Sequence, residues 1–256
     1  MSRAYMAIRG LILGAIVVAW AAGCSVMSPS AGPSGLQWQV SQGAKADAEG
    51  RARAAASAMA TPARAVTGSN TSTASGGKAK ASTAGHAAEE VPGTDITAIG
   101  DSVMLASSLA LQQAFPGIYI DAVVSRHTYA GLSVLRQLAA SGGLRVVVVV
   151  ALGTNGGVTL QQVRQLMAIV GSRREVVLVT TFVPLPYEHD TNNVLAAAAR
   201  TYPNVVLADW YKTVSRRTSL LWPDGIHPQP PGAKVYAAVI KAAVAQAIRP
   251  AMLAAG

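Results

Sequence analysis

Five consecutive valines, Val146 to Val150, constrain the fold of this chain more than any other feature of its sequence, and Ala151 and Leu152 extend the apolar run. β-Branched side chains favour an extended backbone. An apolar run without polar alternation is typical of a strand that is buried on both faces, and such strands lie inside parallel sheets covered by helices. The run therefore predicts a central strand of an α/β fold.

From residue 95 onward, β-rich segments alternate with segments that have apolar residues at helical spacing. This alternation predicts a doubly wound, flavodoxin-like domain over residues 94–250, with three α/β/α layers. Short right-handed connections favour a five-stranded parallel sheet in the order 2-1-3-4-5. The predicted strands are 94–99, 118–124, 146–152, 175–182 and 205–209, and the predicted helices are 104–115, 129–140, 160–170, 192–202 and 231–248.

Residues 25–93 have the composition of a flexible tether. They are rich in Ala, Ser, Thr and Gly, with few bulky apolar residues and no sustained period. Such a segment cannot bury enough apolar surface to offset the loss of backbone entropy. We therefore expect a disordered tether, in which alanine favours at most a weak helix over residues 44–59.

Residues 1–24 predict export from the cytoplasm. Arg3 and Arg9 precede twelve uncharged residues, 11–22, which are followed by Gly23 and Cys24. This is the pattern of a secretory signal peptide, and the run is shorter than the roughly 20 residues of a spanning helix. The Ala-Gly-Cys sequence is similar to a bacterial lipobox, which implies lipidation of Cys24 and a membrane anchor. An uncleaved signal anchor is the alternative, and both interpretations place the rest of the chain outside the cytoplasm.

The positive charge of the chain is spread along its whole length. Residues 1–94 carry 8 Lys and Arg against 4 Asp and Glu, and residues 95–256 carry 13 against 8. Aromatic residues make up only 5% of the chain, so platforms for stacking bases are scarce. We expect no nucleic-acid partner, and only weak attraction to anionic surfaces such as lipid heads or wall polymers.

Three short polar segments follow predicted strands. Gly100-Asp101-Ser102 follows the first strand, Gly153-Thr154-Asn155 follows the valine strand, and Asp224-Gly225-Ile226-His227 lies beyond the last strand. Ligands of such sheets bind outside the carboxyl ends of the strands, so we expect the segments to converge there. A serine, an imidazole base and a carboxylate together suffice for acyl transfer through a covalent serine ester.

Each of these segments also has a structural interpretation. Ser102 would then only cap the following helix, Asp224 and His227 would form a capped surface turn, and Asn155 would be an ordinary loop residue. Asp101 is expected to have a structural role in its turn. His189 has no second histidine at ligand spacing, so the sequence predicts neither a metal site nor a cofactor.

Together the three segments resemble the SGNH hydrolase superfamily, also called GDSL esterases, over residues 95–247. The resemblance implies that Ser102 is the nucleophile, His227 the base and Asp224 the residue that orients the base. It also implies an oxyanion hole built from the N–H groups of Ser102 and Ser125 and the amide of Asn155. The segments look closest to the extracytoplasmic domain of membrane acyltransferase-3 proteins, which include peptidoglycan O-acetyltransferases.

Two positions depart from the pattern of the superfamily. Ser125 stands where many members have glycine, and Gly156 stands where many hydrolases have aspartate. A serine keeps the backbone N–H group but lacks the conformational freedom of glycine.

The sequence thus predicts an extracytoplasmic serine esterase or O-acyltransferase that acts on a small acyl group, expected to be acetyl. Hydrolysis and transfer share one acyl-enzyme and differ in the acceptor, which is water or a sugar hydroxyl. The expected partners are a cell-envelope glycan or another acylated small substrate, the membrane through the N-terminal lipid, and a membrane protein that supplies the acyl donor. The alternative is a non-catalytic envelope module that binds glycan through the same cleft.

Overall fold

The structure is a computed structural model that describes residues 35–60 and 91–253. The predicted signal peptide and Cys24 lie outside the described residues. The strands are β1 (Ile96–Gly100), β2 (Tyr119–Ala122), β3 (Val147–Ala151), β4 (Glu175–Val179) and β5 (Val205–Ala208). The helices are α1 (Gly35–Ala60), α2 (Ser102–Ala114), α3 (Thr128–Ala140), α4 (Leu160–Val170), α5 (Glu188–Thr201), α6 (Trp210–Val214) and α7 (Pro230–Leu253).

The five strands form one parallel sheet in the order β2-β1-β3-β4-β5. The valine strand β3 lies at its centre, and all five of its residues are buried. Val148 pairs with Thr97 of β1 on one side and with Val176 of β4 on the other. The predicted doubly wound α/β fold and its strand order are confirmed.

The two faces of the sheet are covered by different helices. Val147 and Val149 point into a core layer that α2 and α7 complete, with Met104 and Ile240 among its fully buried residues. Val148 and Val150 point the other way, into a layer completed by α3, α4 and α5. Alternate residues of β3 thus serve opposite layers, because successive side chains of a strand point to opposite faces.

Helix α1 is the largest difference between the predicted and the observed structure. Residues 35–60 form a helix that packs against α2 and the edge strand β2, so the predicted tether is wrong for this segment. The contact is close: a Cβ atom on Gly43 would lie 2.0 Å from the Leu105 carbonyl oxygen. Asp47 is only 1% exposed in this interface. Residues 25–34 and 61–90 of the predicted tether lie outside the described residues.

The other differences concern the ends of elements and one additional short helix. Helix α2 begins two residues earlier than predicted, at Ser102, and α5 begins four residues earlier, at Glu188. Strand β4 ends at Val179 and not at residue 182. The short helix α6 was not predicted. None of the helices in the described part of the chain is long and apolar enough to cross a membrane.

Candidate active site

Ser102 lies at the turn between β1 and α2, at the carboxyl edge of the sheet. Asp101 caps α2, since its Oδ1 accepts a hydrogen bond from the Val103 N–H group at 3.0 Å. Ser102 is the first residue of the helix and not its cap, so its hydroxyl is free for another partner. Gly100 allows the tight turn, because a Cβ atom there would lie 2.4 Å from Cβ of Met104.

That partner of the Ser102 hydroxyl is His227, which lies 125 residues further along the chain. The Nε2 atom of His227 is 2.8 Å from Oγ of Ser102. On its other side, Nδ1 of His227 is 2.7 Å from Oδ2 of Asp224. The structure therefore brings the three residues together in one hydrogen-bonded chain, with the order and distances that a serine, a general base and its orienting acid require.

The local fold holds Asp224 in an ionised state. Its Oδ1 atom accepts hydrogen bonds from the N–H groups of Ile226 at 2.9 Å and His227 at 3.0 Å, across a turn that Gly225 makes with a φ of 70°. Burial acts to raise the pKa of Asp224, but the hydrogen bonds from the Ile226 N–H, the His227 ring and the His227 N–H outweigh it. The net effect lowers the pKa below 3.8, so this carboxylate can stabilise a positive charge on the imidazole.

Ser125 lies in the loop after β2 and keeps the backbone conformation that glycine would favour. Its φ is +58°, and no other non-glycine residue in the described part of the chain has a positive φ. The Gly-to-Ser departure has therefore left the left-handed geometry in place. The N–H group of Ser125 is thus a candidate oxyanion donor, as the resemblance implied.

Sequence reasoning missed the residue that fixes this loop, Arg126. Its guanidinium donates to the Asp121 and Gly100 carbonyl oxygens, and it forms an ion pair with the Asp121 carboxylate at 2.6 Å. The Arg126 side chain is 8% exposed. Arg126 thus links the loop to the ends of β1 and β2. The only sequence feature that pointed to Arg126 was its position directly after Ser125.

Asn155 follows β3, as predicted, and presents an unpaired donor. Its Nδ2 atom is buried and has no hydrogen-bond partner within residues 35–60 and 91–253. A buried donor without a partner costs free energy, so such an atom at this edge of the sheet suits a group that is paired only when a ligand is bound.

Tyr187, which the sequence motifs also did not reveal, fixes the loop after β3 that contains Asn155. Its hydroxyl donates to the Thr154 carbonyl at 2.7 Å and accepts from the Gly156 N–H at 3.1 Å.

Behind the turn of Ser102 lies a buried polar cluster. Asp101, Trp210 and Tyr236 line one small cavity, and Trp210 Nε1 and Tyr236 OH are buried there without a hydrogen-bond partner among the described residues. Burial raises the pKa of Asp101 from its ordinary value of 3.8 to about 6. Trp210 packs edge-on against Tyr236, with ring centroids 5.1 Å apart, and is 1% exposed. Trp210 therefore belongs to the core.

An exposed aromatic surface borders the Ser125 loop. His127 and Tyr129 stack with ring centroids 5.6 Å apart, and Tyr129 is 66% exposed. A Cβ atom on Gly156, beside Asn155, would lie 3.2 Å from Nδ1 of His127, so this surface adjoins both candidate oxyanion loops.

Among residues 35–60 and 91–253, no group of three His, Cys, Asp or Glu side chains could hold a metal ion.

A Ser-His-Asp chain at the carboxyl edge of a 2-1-3-4-5 sheet defines a candidate serine acyl-transfer site on the SGNH fold. Comparison with known proteins gives the same class. The chain is 36% identical over 146 residues to the putative peptidoglycan O-acetyltransferase YrhL of Bacillus subtilis. It is 35% identical over 147 residues to the peptidoglycan O-acetyltransferase OatA of Listeria monocytogenes. Each alignment covers 57% of this chain and 23% of the relative, so the chain spans less than a quarter of the length of these two relatives.

Among solved structures, the chain is similar to the C-terminal catalytic domain of Streptococcus pneumoniae peptidoglycan O-acetyltransferase A, which was determined with a methylsulfonyl adduct. The TM-score is 0.55 and the identity 26%, over 59% of this chain and 93% of that domain. No protein-family model matches the chain. The comparisons confirm the predicted resemblance to the SGNH superfamily and to its peptidoglycan O-acetyltransferase branch.

Proposed function

We propose that this chain is an extracytoplasmic SGNH serine enzyme that transfers an acetyl group on peptidoglycan through an acyl-enzyme on Ser102. The observation that carries the proposal is the continuous chain from Ser102 Oγ through His227 to Asp224, at 2.8 and 2.7 Å. The similarity to peptidoglycan O-acetyltransferases supports the acyl group and the glycan.

In the first step, the Ser102 oxygen attacks the carbonyl carbon of an acetyl ester while its proton passes to Nε2 of His227. Asp224 accepts the hydrogen bond from Nδ1–H and stabilises the imidazolium that forms. The negative charge on the carbonyl oxygen is stabilised by the N–H groups of Ser102 and Ser125 and by the amide of Asn155. Collapse of the intermediate breaks the bond to the donor oxygen, which takes the proton from His227.

The second step uses the same groups in reverse. An acceptor hydroxyl gives its proton to His227 and attacks the acetyl carbonyl, and Ser102 leaves with the proton from His227. A sugar hydroxyl as acceptor gives O-acetyl peptidoglycan, and water gives acetate. The names of the relatives favour the sugar hydroxyl. The exposed ring of Tyr129 beside the oxyanion loops offers a surface for the acceptor glycan.

The predicted location belongs to this proposal. A lipid on Cys24 would hold the enzyme at the membrane surface, next to the wall polymer. An acyl donor would come from a membrane protein. Replacing Cys24 with serine is expected to release the protein from membranes while its activity in solution is kept, and cell fractionation measures this.

The proposal is tested by supplying p-nitrophenyl acetate as donor and a soluble peptidoglycan oligomer as acceptor, and by measuring acetylated glycan with mass spectrometry. We expect acetyl transfer by the wild-type chain, and a loss of about 10³-fold or more in Ser102→Ala. Ser107→Ala is a matched control, because Ser107 is buried in α2 and its hydroxyl donates to the Val103 carbonyl. Glycan binding without acetyl transfer or release of p-nitrophenol would contradict the proposal and favour the binding module.

A further inference from the structure

Helix α1 reaches the active-site loop through one buried side chain, that of Gln39. Gln39 is 7% exposed, and its amide is bonded at both ends. The Nε2 group donates to the carbonyl oxygens of Ala106 at 2.7 Å and Pro228 at 3.0 Å. The Oε1 atom accepts a hydrogen bond from Trp222 Nε1 at 3.1 Å.

These three partners belong to the two segments that carry the Ser-His pair. Ala106 lies one turn after Ser102 in α2. Pro228 directly follows His227, and Trp222 begins the turn that contains Asp224. The Gln39 amide thus bridges the helix of the proposed nucleophile and the loop of the proposed base.

The loop closes on itself by its own backbone hydrogen bonds. The Trp222 N–H donates to the His227 carbonyl at 2.8 Å, and the Gln229 N–H donates to the Leu220 carbonyl at 2.8 Å. These bonds fix the shape of the loop, but they do not set its distance from α2. The Gln39 amide, which is bonded to both segments, adds to the packing of α7 on α2 in setting that distance.

Contacts other than those of Gln39 also fix the position of α1 against α2 and β2. Gly35 lies against the Trp222 ring, where a Cβ atom would be 2.3 Å from the ring, and Gly43 lies against the Leu105 carbonyl. Further along the helix, Gln112 donates to the Ala46 carbonyl at 2.7 Å, and Arg51 donates to the Ile120 carbonyl at 3.1 Å. The helix is therefore held on α2 and β2 firmly enough to present Gln39 in one position.

We propose that α1 is a strap that positions the Asp224–His227 loop against Ser102, with Gln39 as the positioning residue. The catalytic part of this inference rests on the proposed function, whereas the ordering of the loop does not. Helix α1, which the sequence predicted to be part of a flexible tether, thus belongs to the framework of the active site.

The test uses the full chain with Gln39→Met, which keeps the length of the side chain and removes its hydrogen bonds. Gln42→Met is the control, because Gln42 is half-buried one turn along the same helix and makes none of these contacts. Gly43→Leu is a second variant that displaces α1 while Gln39 is retained. Hydrogen exchange of the 220–229 peptide, read by mass spectrometry, and kcat and KM with p-nitrophenyl acetate are measured for each variant.

We expect Gln39→Met and Gly43→Leu to speed exchange of the 220–229 peptide by about three- to tenfold, in line with the loss of ordinary hydrogen bonds. We expect a similar fall in kcat with KM within about twofold, because the substrate still binds while the base is misplaced. Exchange in β3 should match the wild type, which shows that the sheet remains folded. Gln42→Met should match the wild type in all readouts.

Unchanged exchange of the 220–229 peptide in both variants would overturn the inference. Faster exchange with kcat unchanged would overturn its catalytic part. Faster exchange in variants of a chain whose wild type releases no p-nitrophenol would uphold the strap and refute the proposed function instead.

Discussion

Ser125 holds a backbone conformation that serine rarely adopts, and it does so beside the proposed oxyanion hole. A left-handed backbone costs a non-glycine residue about 1–2 kcal/mol. The Arg126 guanidinium and its bonds to Asp121 and Gly100 hold the loop against that cost. The contacts of Arg126, and not a glycine, therefore maintain the backbone conformation that orients the Ser125 N–H group.

If only this N–H group matters, Ser125→Gly should keep kcat with p-nitrophenyl acetate within about twofold. Ser125→Val should lower it by about tenfold or more, because a β-branched residue is a genuine outlier at positive φ. Steady-state kinetics of the two variants check this. Equal loss in both would show that the serine hydroxyl is used.

Substitution of Asn155 should affect kcat and the free energy of unfolding in different ways. Removal of one oxyanion donor typically costs about 10²–10³ in rate, so Asn155→Ala should lower kcat by that factor. Because Nδ2 is buried and unpaired in the free chain, its removal should leave the free energy of unfolding unchanged or higher. Urea unfolding together with kinetics measures both. A stable variant with full activity would remove Asn155 from the site.

At the scale of elements, loops fixed by single side chains hold the site together. Arg126 fixes the loop after β2, and Tyr187 fixes the loop after β3. The guanidinium of arginine directs five N–H donors in one plane, whereas the three donors of lysine lie on a single nitrogen. Lysine therefore cannot reach the same acceptors with the same geometry. Arg126→Lys should therefore lower kcat by about tenfold, whereas Arg136→Lys on the exposed face of α3 should not. Wild-type kinetics in Arg126→Lys would contradict this role.

The sequence predicted those elements whose apolar pattern is strong. The valine strand, its neighbours and α4 lie where the pattern placed them, since β-branched runs and helical spacing report burial directly. A weak helix was predicted only over residues 44–59 of α1, and its packing was missed because glycines, alanines and buried polar groups such as Gln39 and Asp47 make its contacts. Such a helix has no apolar stripe, and only its tertiary partners reveal it.

The same reason explains which part of the site the sequence could predict. Ser102, Asn155, Asp224 and His227 were candidates because their chemistry is recognisable in short motifs, and the structure brings Ser102, His227 and Asp224 into contact. Arg126, Tyr187 and Gln39 were missed because each acts through carbonyl groups of distant segments, and a carbonyl has no signature in sequence. Only the fold shows which backbone oxygens come within reach.

At the scale of the whole molecule, two buried carboxyl groups make stability depend on pH. Burial raises the pKa of Asp101 and of Asp47 from 3.8 to about 6 in the folded chain. The folded state therefore binds these protons more tightly than the unfolded state. This contribution to stability is complete below about pH 4 and is lost as the pH rises through about 6.

Asp101→Asn should flatten this dependence, since asparagine still caps α2 but does not ionise. We expect the free energy of unfolding to fall less between pH 4.5 and 7 in the variant than in the wild type. Urea unfolding at four pH values measures the difference. Equal slopes for the two proteins would show that Asp101 does not titrate in this range. The lowered pKa of Asp224 acts in the opposite direction, but only as the pH falls below about 4.

In the proposed mechanism, Ser102 is a nucleophile because His227 takes its proton. The most direct measurement is the rate at which methanesulfonyl fluoride modifies the chain, with the modified residue located by peptide mass spectrometry. We expect one sulfonyl group on Ser102, and a rate about 10²–10⁴-fold lower in His227→Ala. Modification elsewhere, or a rate at Ser102 that does not change in His227→Ala, would contradict it.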